Sequence, residues 1–172
     1  MPYFLKKEGA IIMEIERKWL IDKNSIPYDL SKLDKYSIEQ SYISFEPQIR
    51  LRKINNGETY NLTMKTKTDD SLLARNEYEL PINEYGYNML KEKATGLTIK
   101  KDRYKVKEND LTLEIDLFKD DFDGLACLEI EFPTLEEAKS YVTPNWVIKD
   151  ITDDIHYKNG YMAQYGKIKE EE

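Results

Sequence analysis

Apolar and polar residues alternate with a period of two along most of this chain. In MEIERKWLI, residues 13–21, Glu14, Glu16 and Lys18 share one parity while Ile15, Trp19 and Ile21 share the other. Successive side chains of a strand point to opposite faces, so the stretch predicts a strand with one charged and one apolar face. Seven further stretches repeat the pattern. Residues 36–45 align Ile38, Gln40, Tyr42 and Ser44; residues 48–53 set Arg50 and Arg52 against Ile49 and Leu51; residues 59–67 set Thr63, Lys65 and Lys67 against Leu62 and Met64. Residues 75–80 set Arg75, Glu77 and Glu79 against Tyr78 and Leu80, and residues 98–106 carry Lys101, Arg103 and Lys105 on one parity. Residues 111–118 separate Glu114 and Asp116 from Leu113, Ile115 and Leu117, and residues 125–132 separate Glu129 and Glu131 from Leu128, Ile130 and Phe132. The stretch 98–106 alternates least cleanly, because Ile99 shares the basic parity.

Between 48–53 and 59–67, Asn55-Asn56-Gly57 carries the residues that accept positive φ, which predicts a hairpin. Helical segments are fewer: 83–94, 134–142 with a capping box of Thr134 and Glu137, 153–165, and a short turn within 29–35. The fold class is therefore α+β, mainly β, with eight strands and a few peripheral helices.

A sheet of this kind has two readings. In one, the charged face is solvated and the apolar face packs on helices, as in many antiparallel sheets. In the other, eight antiparallel strands close into a barrel and the charged face becomes a lumen. Same-sign pairs two residues apart favour the second: Glu14/Glu16, Arg50/Arg52, Lys65/Lys67, Glu77/Glu79, Lys101/Arg103, Glu114/Asp116 and Glu129/Glu131. Like charges at that spacing repel, and a bound counter-charge relieves them.

Composition narrows the function. The chain has 172 residues, enough for one domain with a real core, and 13 tyrosines among its aromatics argue against disorder. The expected organisation is a flexible leader at 1–12, a single domain over 13–166 and a charged tail at 167–172. A net charge of −7 disfavours general binding to nucleic acid or an anionic membrane, so any anion must be held locally. The single cysteine, Cys127, excludes an internal disulfide and points to a reducing compartment, with the cytoplasm as the default. No apolar run approaches the length of a membrane span, and the opening MPYFLKKEGAII is too short in apolar residues for a signal peptide.

Glu14-Ile15-Glu16-Arg17-Lys18 resembles the ExExK signature of the CYTH superfamily, the triphosphate tunnel metalloenzymes. Further resemblances follow in order: Gln40-Ser41-Tyr42, Arg50-Leu51-Arg52, Leu62-Thr63-Met64-Lys65, Arg75-Asn76-Glu77-Tyr78-Glu79, Lys101-Asp102-Arg103-Tyr104, Glu114-Ile115-Asp116 and Glu129-Ile130-Glu131. The resemblance implies a closed eight-stranded barrel acting on a triphosphate-containing small molecule with Mg²⁺ or Mn²⁺. The expected reaction is metal-dependent hydrolysis, most simply of inorganic tripolyphosphate to pyrophosphate and phosphate. The alternatives are hydrolysis of a nucleoside or thiamine triphosphate, class IV-type adenylyl cyclisation, and a non-catalytic polyphosphate-binding module. Homodimerisation is implied by family analogy alone.

The chemistry assigns expected roles. Phosphoryl transfer depends on neutralising and positioning charge, which makes Arg50, Arg52, Lys65, Lys67, Arg75, Lys101 and Arg103 the expected phosphate grip. Hard divalent ions take carboxylate oxygens, and the resemblance points to Glu14, Glu16, Glu129 and Glu131, with Glu114 and Asp116 beside them. By resemblance to hydrolytic relatives, in which the lysine of ExExK acts with a second-strand tyrosine, Lys18 with Tyr42 is the expected water-activating pair, and simple phosphate binding is the other role open to Lys18. One departure from the family pattern stands out: Asp154-Ile155-His156-Tyr157-Lys158-Asn159 has Ile155 where relatives carry a lysine, leaving His156 or Lys158 as substitutes.

Overall fold

The computed structural model describes residues 12–67 and 74–168. Its elements are β1 (Ile12–Leu20), β2 (Asp34–Phe45), β3 (Gln48–Ile54), β4 (Thr59–Lys67), β5 (Ala74–Pro81), α1 (Glu84–Lys91), β6 (Thr95–Glu108), β7 (Leu111–Lys119), β8 (Ala126–Glu131), α2 (Leu135–Ser140), β9 (Lys149–Asp150) and α3 (Asn159–Tyr165). All eight expected strands are present. They pair in the order β5-β4-β3-β2-β6-β7-β8-β1, and a further β5–β1 pairing closes the ring. Every ladder is antiparallel. In this ring β1 and β2 lie on opposite walls.

Closure at β1 is shared between two partners. Residues Ile12 to Ile15 pair with β5, whereas Trp19 and Leu20 pair with the two-residue strand β9, which the periodicity does not reveal. The β3–β4 hairpin turns as its sequence requires: Asn55 and Asn56 sit at φ 51° and 57°, and Gly57 at 113°. The φ of Gly57 lies where L side chains are strained, so glycine is needed there.

The main hydrophobic core lies outside the barrel. Ile15, Trp19, Ile21, Leu113, Ile115, Leu128, Ile130 and Phe132 point away from the lumen and pack beneath α2 and the segment following β1. Arg17, also outward, ties this cover down by donating to the carbonyls of Ala138 (3.0 Å) and Tyr141 (2.8 Å) and to Asp150 (2.7 Å). The uneven alternation of β6 has a local cause. Lys101 and Arg103 point inward while Asp102 points outward and is also buried, held by Lys119 (2.8 Å) and Ser37 (3.1 Å).

A second apolar cluster stops one end of the lumen. Tyr42, Ile99, Phe118 and Cys127, all of lumen parity, meet Met162 and Ala163 of α3. The approach is close: a Cβ on Gly96 would lie 2.4 Å from the Ala163 carbonyl oxygen. Cys127 is thus a fully buried filler, its thiol pushed up to about 11 by burial.

Two expected helices differ from their sequence bounds. The 153–165 segment is a 3-10 turn at Ile155–Tyr157, an extended Lys158 (φ −69°, ψ 134°) and then α3. The Asp154 side chain accepts from the His156 N–H and favours the turn over a continuous helix. Residues 29–35 hold only a 3-10 turn, Leu30–Lys32, capped by Asp29, before β2 begins. The expected leader lies outside the described residues except for Ile12, as does the tail beyond residue 168. Lys167, at the tail's start, donates to the Asp123 carbonyl at 2.8 Å.

Candidate active site in the barrel lumen

The charged parity of every strand faces the lumen, and its side chains divide into three groups. On β6, β7 and β8, Asp116 is fully buried and accepts from Lys101 (2.6 Å) and from Arg103 Nε (2.7 Å) and Nη2 (2.8 Å). Arg103 also reaches Glu114 and Glu129, both at 2.9 Å. Burial opposes the charge on Glu129, but Lys18, Lys101 and Arg103 hold its carboxyl well below the usual range. Burial draws Lys101 down to about 8, against the pull of Asp116 and with the help of Arg103.

Lys18 belongs to this group. Its ammonium lies 3.3 Å from Glu129 and donates to the Tyr157 carbonyl at 2.8 Å. Burial works against that charge, yet Glu129, Glu16 and Asp116 outweigh it and hold the lysine protonated above its ordinary value. Tyr42, the expected partner of Lys18, is on the opposite wall, fully buried, stacked on Phe45 with ring centroids 5.5 Å apart, and its hydroxyl has no hydrogen-bond partner.

The second group is acidic. Glu14 accepts from Lys65 at 2.6 Å, and Lys65 also lies 3.6 Å from Glu77. Burial raises Glu14 to about 8 despite Lys65, and Glu16 and Glu77 push the same way. Glu77, buried and hydrogen-bonded to Glu14, is a site residue that alternation placed in the lumen without assigning it a role. Its importance depends on β5 lying next to β1, which only barrel closure reveals. Glu16 is half-buried, and Glu131, paired with it across the β1–β8 ladder, is exposed at the rim.

The third group lies on β2, β3 and β4. Arg50 and Arg52 form no ion pair with any described residue, and Arg52 instead takes the Gln40 Oε1 through Nε (3.2 Å) and Nη2 (2.9 Å). Burial, with Arg50 and Arg103 nearby, lowers Arg52 to about 10. Lys67 is exposed at the end of β4 and Arg75 is half-buried on β5. Lys158 is half-buried above the lumen, where burial lowers its pKa against Glu16. His156 instead faces outward, paired with Asp154 at 2.8 Å, and Ile155 is exposed. Of the two substitutes for the missing lysine, the structure therefore puts Lys158 at the site.

Glu14, Glu114, Asp116 and Glu129 each have a cationic partner in the contacts above, and among the described residues no three acids are gathered into a preformed metal cage. The donor set nevertheless suits a hard divalent ion. Glu14, Glu16 and Glu77 crowd around one ammonium, Lys65, and a divalent cation would relieve the repulsion among them.

A family model described as the CYTH domain matches residues 13–160. The chain belongs to the CYTH domain family. An inorganic triphosphatase of Nitrosomonas europaea is 31% identical over 152 residues, covering 87% of this chain and 96% of that protein. A crystal structure of an inorganic triphosphatase superposes with a TM-score of 0.62 at 29% identity, over 90% of this chain and 97% of the other. A Hippeastrum protein named as an adenylyl cyclase and described as revealing a dominant triphosphatase activity matches at TM-score 0.58 and 17% identity over 73% of this chain and 82% of that one, a likeness of fold alone. No helix of the described CYTH domain is long and apolar enough to cross a membrane.

Proposed function

We propose that this protein hydrolyses triphosphates in a divalent-metal-dependent reaction, with inorganic tripolyphosphate, cleaved to pyrophosphate and phosphate, as its preferred substrate. The observation that carries the reading is a pair of arginines, Arg50 buried and Arg52 half-buried, facing a lumen stopped at one end and lacking any anionic partner among the described residues. Buried cations without a counter-ion are costly, and a polyanion supplies what is missing. The likeness to an inorganic triphosphatase supports the same substrate class.

The chain's own groups divide the work. Arg50 and Arg52 bind phosphoryl oxygens, with guanidinium geometry suited to two-pronged contacts. Lys65, Lys101 and Arg103 sit deeper among carboxylates and exchange those partners for phosphate as substrate enters. Lys18 keeps its proton at Nζ in this arrangement, so its role is to place charge and anchor the Tyr157 carbonyl. Water adds to a terminal phosphorus, the bond to the bridging oxygen breaks, and pyrophosphate leaves with that oxygen.

Glu14, Glu16, Glu129 and Glu131, with Glu114 and Asp116 beside them, would hold Mg²⁺ or Mn²⁺. When bound, such an ion supplies charge neutralisation and a polarised water.

The test incubates purified protein with tripolyphosphate, ATP and thiamine triphosphate, each with Mg²⁺, Mn²⁺ or EDTA, while phosphate, pyrophosphate and cyclic AMP are followed together. Metal-dependent phosphate release, strongest with tripolyphosphate and lost in Glu14→Gln and Glu129→Gln, is expected. Cyclic AMP with equal pyrophosphate would make the protein a cyclase, and binding without turnover would leave a polyphosphate-binding module.

A further inference from the structure

Buried polar side-chain atoms nearly always find a partner. Among the described residues six do not, and four of them lie on one wall of the lumen: Gln40 Nε2, Tyr42 OH, Arg50 Nε and Thr63 Oγ1. Their residues are at most 5% exposed. The strand registers make them neighbours, with Arg50 opposite both Tyr42 and Thr63 and Gln40 opposite Arg52. Directly opposed side chains start about 5 Å apart, so the four atoms share a patch about two strand spacings wide. Each of these atoms can donate a hydrogen, and among the described residues no carboxylate pairs with either arginine. An occupant must therefore be an acceptor-rich anion.

Gln40 explains how the patch stays free of acid. Its Oε1 accepts both Arg52 bonds and orients the guanidinium, a task elsewhere in this lumen performed by a carboxylate, as Asp116 does for Arg103. A neutral amide fixes the geometry without cancelling the charge, and it leaves Nε2 free to donate.

We propose that Gln40 and Thr63 are substrate-binding residues that, with Arg50 and Arg52, form a donor-only cradle for one phosphoryl group, and that Gln40 positions Arg52 for it. The inference deepens the triphosphatase reading and rests on it. It also restricts the substrate: the group seated here is anionic, and the organic part of a nucleoside or thiamine triphosphate must lie elsewhere.

Two variants test the cradle. Gln40→Glu keeps the shape, neutralises Arg52 and removes the donor; the KM for tripolyphosphate should rise at least tenfold, with a smaller change in kcat. Thr63→Val removes a hydroxyl that has no partner, so the KM should rise several-fold while thermal stability holds or increases, since an unsatisfied buried hydroxyl is itself destabilising. A purely structural role predicts the reverse, a lower melting temperature with an unchanged KM.

Binding of tripolyphosphate by calorimetry, with the metal omitted, separates the two layers. If the wild type hydrolyses tripolyphosphate and both variants keep its KM and affinity, the cradle is overturned while the triphosphatase reading stands. If the wild type binds tripolyphosphate without turnover, weaker binding by both variants still supports the cradle and unchanged binding removes it. If the wild type binds no tripolyphosphate, both fall.

Discussion

The two long walls of the lumen carry the same kinds of cation and treat them oppositely. On β6, β7 and β8, Arg103 is surrounded by Asp116, Glu114 and Glu129 and its charge is cancelled within the protein. On β2 and β3, Arg52 is half-buried and meets a glutamine, and Arg50 has no acid paired with it among the described residues. The first wall is neutralised within the protein, so a ligand there must displace a partner already in place. The second is incomplete in the free protein, and that incompleteness is what an anionic ligand can satisfy. Removing the fully buried Asp116 from the first wall should therefore cost stability, whereas removing an arginine from the second should act mainly on substrate binding and turnover.

The sharpest break is Asp116→Ala. It leaves Lys101 and Arg103 buried beside each other with their shared carboxylate gone, and breaking such a pair costs about 3–5 kcal/mol. Denaturant unfolding should show that loss. A variant with wild-type stability would mean that Lys101 and Arg103 find other partners and that the first wall is not the rigid one. The next effect belongs to the ligand. An anion that binds only the folded state stabilises it by about 2.7 kcal/mol at a hundredfold excess over Kd. Tripolyphosphate without metal should raise the melting temperature of the wild type, and Arg50→Ala with Arg52→Ala should abolish the rise. An equal rise in the double variant would place the anion on the other wall.

Much of this contrast is half-visible in the sequence. The strands are legible because charged and apolar residues alternate so strictly that only β6 blurs, and there Asp102 is buried on the outer face by Lys119. Inward parity likewise places Glu14, Lys18, Arg50, Arg52, Lys65, Lys101, Arg103, Asp116 and Glu129 in the lumen. Alternation cannot say which walls adjoin, because that depends on the order of strands around the ring. Glu77 matters only because β5 meets β1, and Lys18 and Tyr42 sit on opposite walls because β1 and β2 face each other across the lumen. The division of the 153–165 segment was illegible for another reason: a helical pattern competes there with the local Asp154 cap, and Lys158 is free to turn toward Glu16 only after the break.

A smaller effect separates the walls on kinetics. Arg52→Ala should raise the KM for tripolyphosphate about tenfold, the order of one lost charge-assisted contact, and slow turnover as well. Its stability should be unchanged or slightly improved, since Arg50 and Arg103 no longer face a third like charge. Steady-state kinetics with a parallel melting curve checks both halves, and wild-type kinetics would remove Arg52 from the grip.

The smallest effect lies outside the lumen and serves as its control. Arg17 joins α2 and β9 to β1 through a bond to Asp150 that is 40% exposed on the acid's side. Burial is the largest single influence and opposes the Asp150 charge, but the bonds from Arg17 and Thr152 together outweigh it and lower its pKa below the ordinary aspartate value. A carboxyl whose folded pKa is depressed stabilises the fold above its unfolded pKa, near 3.9, and loses that contribution as the pH falls through the folded value. Asp150→Asn should therefore be less stable than wild type at neutral pH by no more than about 1 kcal/mol, because solvent screens so exposed a pair. The difference should fade as the pH falls through the depressed folded-state pKa, below which the wild-type carboxyl is protonated too. Melting curves from pH 2 to 7 measure it, and a difference that persists through the acid range would show that Asp150 works through its hydrogen bonds and not through its charge.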